Sequence, residues 1–97
     1  MPTYISLLRY TQQGIMDVKN GPARLDAAKE GFRRAGAEMR AFYLMMGPYD
    51  ALAILEVPDD VTGARMALAI AAQGNVRLET LRAFSEAEYR KIVASLP

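Results

Sequence analysis

Two apolar runs, Met39–Met46 and Ala51–Val57, stand either side of Gly47-Pro48, and each is bordered on its far side by a segment of helical period. Glycine and proline together punctuate the chain, so the runs read as two strands joined by a tight turn. A hairpin with a helix on each side leaves few topologies, because strand–helix–strand crossovers are nearly always right-handed.

The flanking segments complete the pattern. Thr3–Tyr10 is rich in β-branched and aromatic residues and predicts a strand that runs into a polar loop at Thr11-Gln12-Gln13-Gly14. Gly21-Pro22 opens a helix predicted over 22–35, with Leu25, Ala28, Phe32 and Ala35 at helical spacing and Gly36 as its C-cap. After the hairpin, Pro58-Asp59-Asp60 stops the strand and caps a helix over 60–73, whose stripe is Val61, Ala64, Leu68 and Ala71. Residues 75–84 start as a strand with Val76 and Leu78 on one side and Arg77 and Glu79 on the other. Leu81 and Ala83 fall out of phase, which means either a bulge near Thr80 or a different register for this strand. Ser85 and Glu88 form a capping box for a last helix over 86–95, with an apolar stripe of Tyr89, Ile92, Val93 and Leu96 that must dock on something.

The order βαββαβ plus a trailing helix predicts an α+β, ferredoxin-like fold: a four-stranded antiparallel sheet with both crossover helices on one face. Ninety-seven residues form a single domain, 1–97. Such a sheet has one open face, yet neither side of these strands is polar. Leu8, Phe42, Leu44, Leu52 and Ile54 are expected on the open side, enough apolar surface to predict a homo-oligomer, at least a dimer through the sheet face. The last helix either covers that face or clasps the neighbouring subunit.

Composition narrows the chemistry. The chain has no His and no Cys, which removes the usual general base, the usual haem and zinc ligands, thiolate nucleophiles and iron–sulfur clusters. Twelve basic against eleven acidic residues give a net charge of +1, too little for a nucleic-acid partner. The N-terminal apolar run is too short for a signal peptide or a membrane span, so the expectation is a soluble, cytoplasmic protein with no membrane partner. Asp59-Asp60 reads as helix capping rather than a metal pair. No metal and no cofactor are expected.

Pro2-Thr3-Tyr4-Ile5, Phe42-Tyr43-Leu44, Gly47-Pro48-Tyr49-Asp50, Asn75-Val76-Arg77 and Leu81-Arg82-Ala83-Phe84 together resemble the GYD family, named for the glycine, tyrosine and aspartate matched here by Gly47, Tyr49 and Asp50. The resemblance spans essentially the whole chain. It implies the dimeric α/β barrel class of ferredoxin-like proteins and a family with no established activity. That class includes cofactor-free and haem-degrading monooxygenases and effector-binding domains of transcription regulators. Its haem enzymes typically use a histidine ligand, which this chain lacks.

Five residues stand out as ligand-binding candidates. Tyr49 and Asp50 belong to the turn with Gly47 and Pro48, where turn geometry alone explains them; alternatively, phenol and carboxylate sit together at a cavity mouth and act on a ligand. Glu56, Arg77 and Arg82 lie on strands, where ion pairing across strands or subunits explains them, or the arginines hold a ligand carboxylate or phosphate. The reading is a non-enzymatic, oligomeric small-ligand-binding or regulatory module with an unassigned small-molecule ligand. The alternative is a cofactor-independent enzyme, of monooxygenase or isomerase type, acting on a small apolar or aromatic substrate in the barrel cavity.

Overall fold

The computed structural model describes residues 1–97 and places the four strands in one antiparallel sheet of order β2-β3-β1-β4, with β1 Thr3–Tyr10, β2 Glu38–Leu44, β3 Ala51–Glu56 and β4 Val76–Ala83. Two long helices, α2 Gly21–Arg34 and α3 Asp60–Ala72, cross over one face of the sheet. This is the ferredoxin-like α+β arrangement, and the element boundaries fall within two residues of those read from the sequence.

Three expectations need correction. The segment after β1 is not a plain loop: Thr11 accepts a hydrogen bond from Gly14 N at 3.0 Å and caps a short helix, α1 Gln12–Met16, which a 3-10 turn at Val18–Asn20 follows. Thr11 N also donates to Asn75 O, and a Cβ at Gly14 would stand 1.9 Å from that oxygen, so only glycine lets α1 lie against the start of β4.

The bulge is not at Thr80. β1 and β4 pair without a break from Thr3↔Ala83 to Tyr10↔Val76, whereas the β2–β3 register shifts between Met39 and Ala41. β4 is an edge strand whose charged side chains reach water from either face, so Leu81 and Ala83 share the Arg77 and Glu79 side with no irregularity.

The third correction concerns faces. Leu8 pairs with Ala51, Phe42 with Ala53 and Leu44 with Ala51, which puts all three on the helix side. Leu52 and Ile54 do lie on the open side, joined by Ile5, Leu7, Ala41, Tyr43 and Leu81. The bulge is the cause in β2, because one extra residue reverses the alternation beyond it.

The core is small. Tyr4, Phe32, Ala37, Ala53, Leu55 and Val57 form it, between β1, β3 and α2. α4, Glu86–Ala94, is capped as expected: Ser85 Oγ accepts from Glu88 N at 3.1 Å and Glu88 Oε1 accepts from Ser85 N at 2.9 Å. Its apolar stripe nonetheless faces solvent, with Tyr89 61% and Ile92 45% exposed. The radius of gyration is 14.6 Å, against about 12.5 Å for a compact chain of this length. The accessible surface is 6744 Å², about 1,200 Å² more than the scaling for monomers gives. No helix is long and apolar enough to cross a membrane.

Candidate functional site: a hollow between helices and sheet

The floor under the helices is built from small residues. Ser6, Ala51 and Ala53 line the middle of the sheet, while Ala28, Gly31 and Ala67 face them from α2 and α3, so the two layers do not fill the space between them. The result is a cavity of about 310 Å³ with Phe32, Phe42, Met39, Met66, Leu25 and Ile70 in its walls. A closed, dry void of that size would cost about 7 kcal/mol, as much as the whole stability of many domains. The cavity is not closed: it reaches the β4 edge, where Thr80, one of its lining residues, is solvent-exposed.

Few polar groups enter it, and most are engaged. At one end the Tyr4 hydroxyl donates to Asp60 Oδ1, a bond that raises the Tyr4 pKa above the ordinary phenol value, with burial adding to the effect. Tyr4 therefore serves as a donor. Neighbouring Asp59 caps α3 by accepting from Thr62 N at 2.7 Å, which holds its carboxyl below the usual range. At the other end Arg24 pairs with Asp17 at 2.9 Å, and Asp50 Oδ2 accepts from Tyr10 N at 2.8 Å. Asp50 has no cationic partner. Midway, Ser6 Oγ and Thr80 Oγ1 lie 2.9 Å apart, one hydroxyl donating to the other.

The five residues singled out in the sequence do not converge. Asp50 alone lines the cavity. Tyr49 projects to the opposite face, where its hydroxyl donates to Glu79 Oε2 at 3.0 Å and its ring lies under the Arg9 guanidinium at 4.5 Å. The Glu79 bond raises the Tyr49 pKa and keeps the phenol protonated. The geometry thus separates the Tyr49 and Asp50 pair that an acid–base reading would join. Arg77 sits beside Tyr49 and Glu79 on a depression of about 170 Å³ on the open face, directly across from Arg9. Glu56 lies at the far end of that face, 3.7 Å from Arg40. Arg82 covers the Phe84 ring at 4.4 Å and donates to Thr3 O and Ala83 O at the sheet edge.

Sequence reasoning missed Ser6, Thr80, Tyr4, Asp60 and Arg24 as a group. One signal was present: Ser6 is a polar residue inside an apolar strand, 5% exposed, and such a hydroxyl needs a partner from a neighbouring strand.

A ferredoxin-like sheet hollowed beneath its helices and bare on its other face defines the class of protein. The sequence profile of the GYD domain matches residues 4–93, and the chain belongs to the GYD family. A relative from Thermus thermophilus, described as a glutamine synthetase and cystathionine beta-lyase binding protein, is 34% identical over 89 residues, covering 91% of this chain and 94% of that protein. A crystal structure of a Thermus thermophilus protein is similar at a TM-score of 0.56 and 25% identity, covering 88% of this chain and 95% of that one.

Proposed function

We propose that this chain is a non-enzymatic binding or regulatory module that works as a homo-oligomer, at least a dimer through the open sheet face, and takes a small ligand between its helices and its sheet. The observation that carries the reading is the cavity of about 310 Å³, within the usual size range of ligand pockets and walled by apolar side chains with a few polar groups. The dimer draws support from the opposite side. Ile5, Leu7, Leu52 and Ile54, the larger aliphatic residues of the central strands, stand half-buried on the face opposite the helices, and a standard interface buries about 800 Å² per partner, less than the surplus surface of this chain.

Thermal unfolding against a metabolite library tests the ligand half, since a ligand at 100 times its Kd adds about 2.7 kcal/mol. Sedimentation tests the other half, and a monomer at tens of micromolar would overturn the dimer. A second reading rests on the relative described as binding two enzymes: the exposed α4 stripe and the open face would then receive a protein partner. Affinity capture with purified glutamine synthetase and cystathionine beta-lyase distinguishes that reading.

A further inference from the structure

The geometry points to one class of ligand for the hollow: a neutral, flat, two-ring molecule bearing a single hydrogen-bond-accepting oxygen, such as an aromatic ketone. This inference rests on the proposed ligand-binding role and adds the chemistry of the ligand. Size comes first. An apolar void of about 150 Å³ takes up one benzene ring, and about 310 Å³ therefore suits two fused rings. The walls suit a π-face, because Phe32 and Phe42 offer aromatic rings and Met39 and Met66 offer polarisable sulfur.

The polar complement excludes an acid. Arg24, the lone cation in the wall, is already bound to Asp17 at 2.9 Å, whereas Asp50 presents a carboxylate without a cationic partner. An anionic ligand would meet an unfavourable charge and lose its hydration without replacement. The acceptor oxygen is favoured by the hydroxyl pair. Ser6 and Thr80 carry two O–H groups between them, and their mutual bond of 2.9 Å uses one. The other has no protein acceptor; at the β4 edge, where Thr80 is exposed, water receives it, and a ligand carbonyl can take that water's place.

Three naphthalenes of matched size test this by calorimetry on the intact protein: the methyl ketone, isopropylnaphthalene and naphthoate. The ketone is expected to bind tightest, about three- to tenfold over the hydrocarbon for one net hydrogen bond, and at least about tenfold over the carboxylate. Ser6→Ala combined with Thr80→Val removes both hydroxyls together, a near-isosteric change that leaves no orphaned partner. It should erase the ketone's advantage over the hydrocarbon. Ala28→Leu, which narrows the cavity from α2, should weaken all three alike. Preference for naphthoate, equal binding of ketone and hydrocarbon, or a ketone advantage that survives the double substitution would each overturn the inference. Failure of all three probes on a protein that library metabolites of another chemistry stabilise would overturn the ligand class and leave the binding-module reading standing. Failure with every library compound as well would overturn both.

Discussion

The two faces of one sheet carry opposite solutions to the same problem. Beneath the helices the strands present Ser6, Ala51 and Ala53, small groups that leave a hollow, whereas the uncovered face presents Ile5, Leu7, Leu52 and Ile54. A lone monomer would be expected to put its bulk under its own helices and polar groups outside. Here the middle of the sheet carries large aliphatic residues outside and a space inside, while Tyr4, Leu55 and Val57 build the core beside that space. Under the proposed function the faces take different partners: a small molecule for the hollow, and a flat apolar surface such as a second copy for the other side. Charge follows the same division. The open face is apolar in its middle and charged at its ends, with Arg9, Arg77 and Glu79 at one end and Arg40 and Glu56 at the other, the arrangement of an interface with a polar rim.

The largest test of the contrast is Ile54→Glu. A carboxylate in the centre of the proposed dimer should cost about 3 kcal/mol or more, which sedimentation would read as monomer at concentrations where the parent is dimeric. A dimer that persists would move the interface elsewhere.

Next in size is Gly47→Val. Gly47 has φ of 110°, a backbone region that L side chains rarely adopt, so the substitution should cost more than about 1 kcal/mol in denaturant unfolding. Because this turn sets which side chains of β2 and β3 share a face, amide exchange should also show loosened β2–β3 pairing.

Ala28→Leu should do the reverse. Extra methylenes in a filled core cost about 1 to 3 kcal/mol, but above this hollow they should be neutral or stabilise by about 1 kcal/mol. A loss of stability by thermal unfolding would mean that the space collapses in solution.

The smallest effect is expected at α4, where Ser85→Ala should cost about 1 kcal/mol or less. The Glu88 carboxyl is held below its usual range chiefly by the hydrogen bond from Ser85 N. A depressed carboxyl stabilises the folded state above the unfolded pKa and loses that contribution as pH falls through the folded one. α4 should therefore fray in acid before the sheet unfolds, and Glu88 carbon chemical shifts followed against pH would show it. A Glu88 titration at the ordinary glutamate position would mean that the capping box is open in solution.

Much of this architecture is written in local signals. The Gly47-Pro48 turn, the capping box at Ser85 and Glu88, and the stripes of the two crossover helices each act within a few residues, so element order and the ferredoxin-like topology were legible. The β3 alternation was legible too, and Ala51, Ala53, Leu55 and Val57 are buried as expected. The site was not. Tyr49 and Asp50 are adjacent in sequence, but the turn that leads into β3 sends one side chain to the open face and the other to the hollow.

What the chain determined by itself is therefore the set of elements and their hydrophobic periods, because hydrogen bonding, capping and turn geometry are decided by near neighbours. What only the tertiary structure decided is which period points where. The one-residue bulge between Met39 and Ala41 sends Phe42 under the helices, Leu44 to the same side of the sheet and Tyr43 into the open, and no pattern of types within β2 reports it. The cavity is likewise a property of pairs, since Ser6 meets Thr80 across 74 positions of sequence. Small residues on four separate elements make a void only when packing brings them face to face.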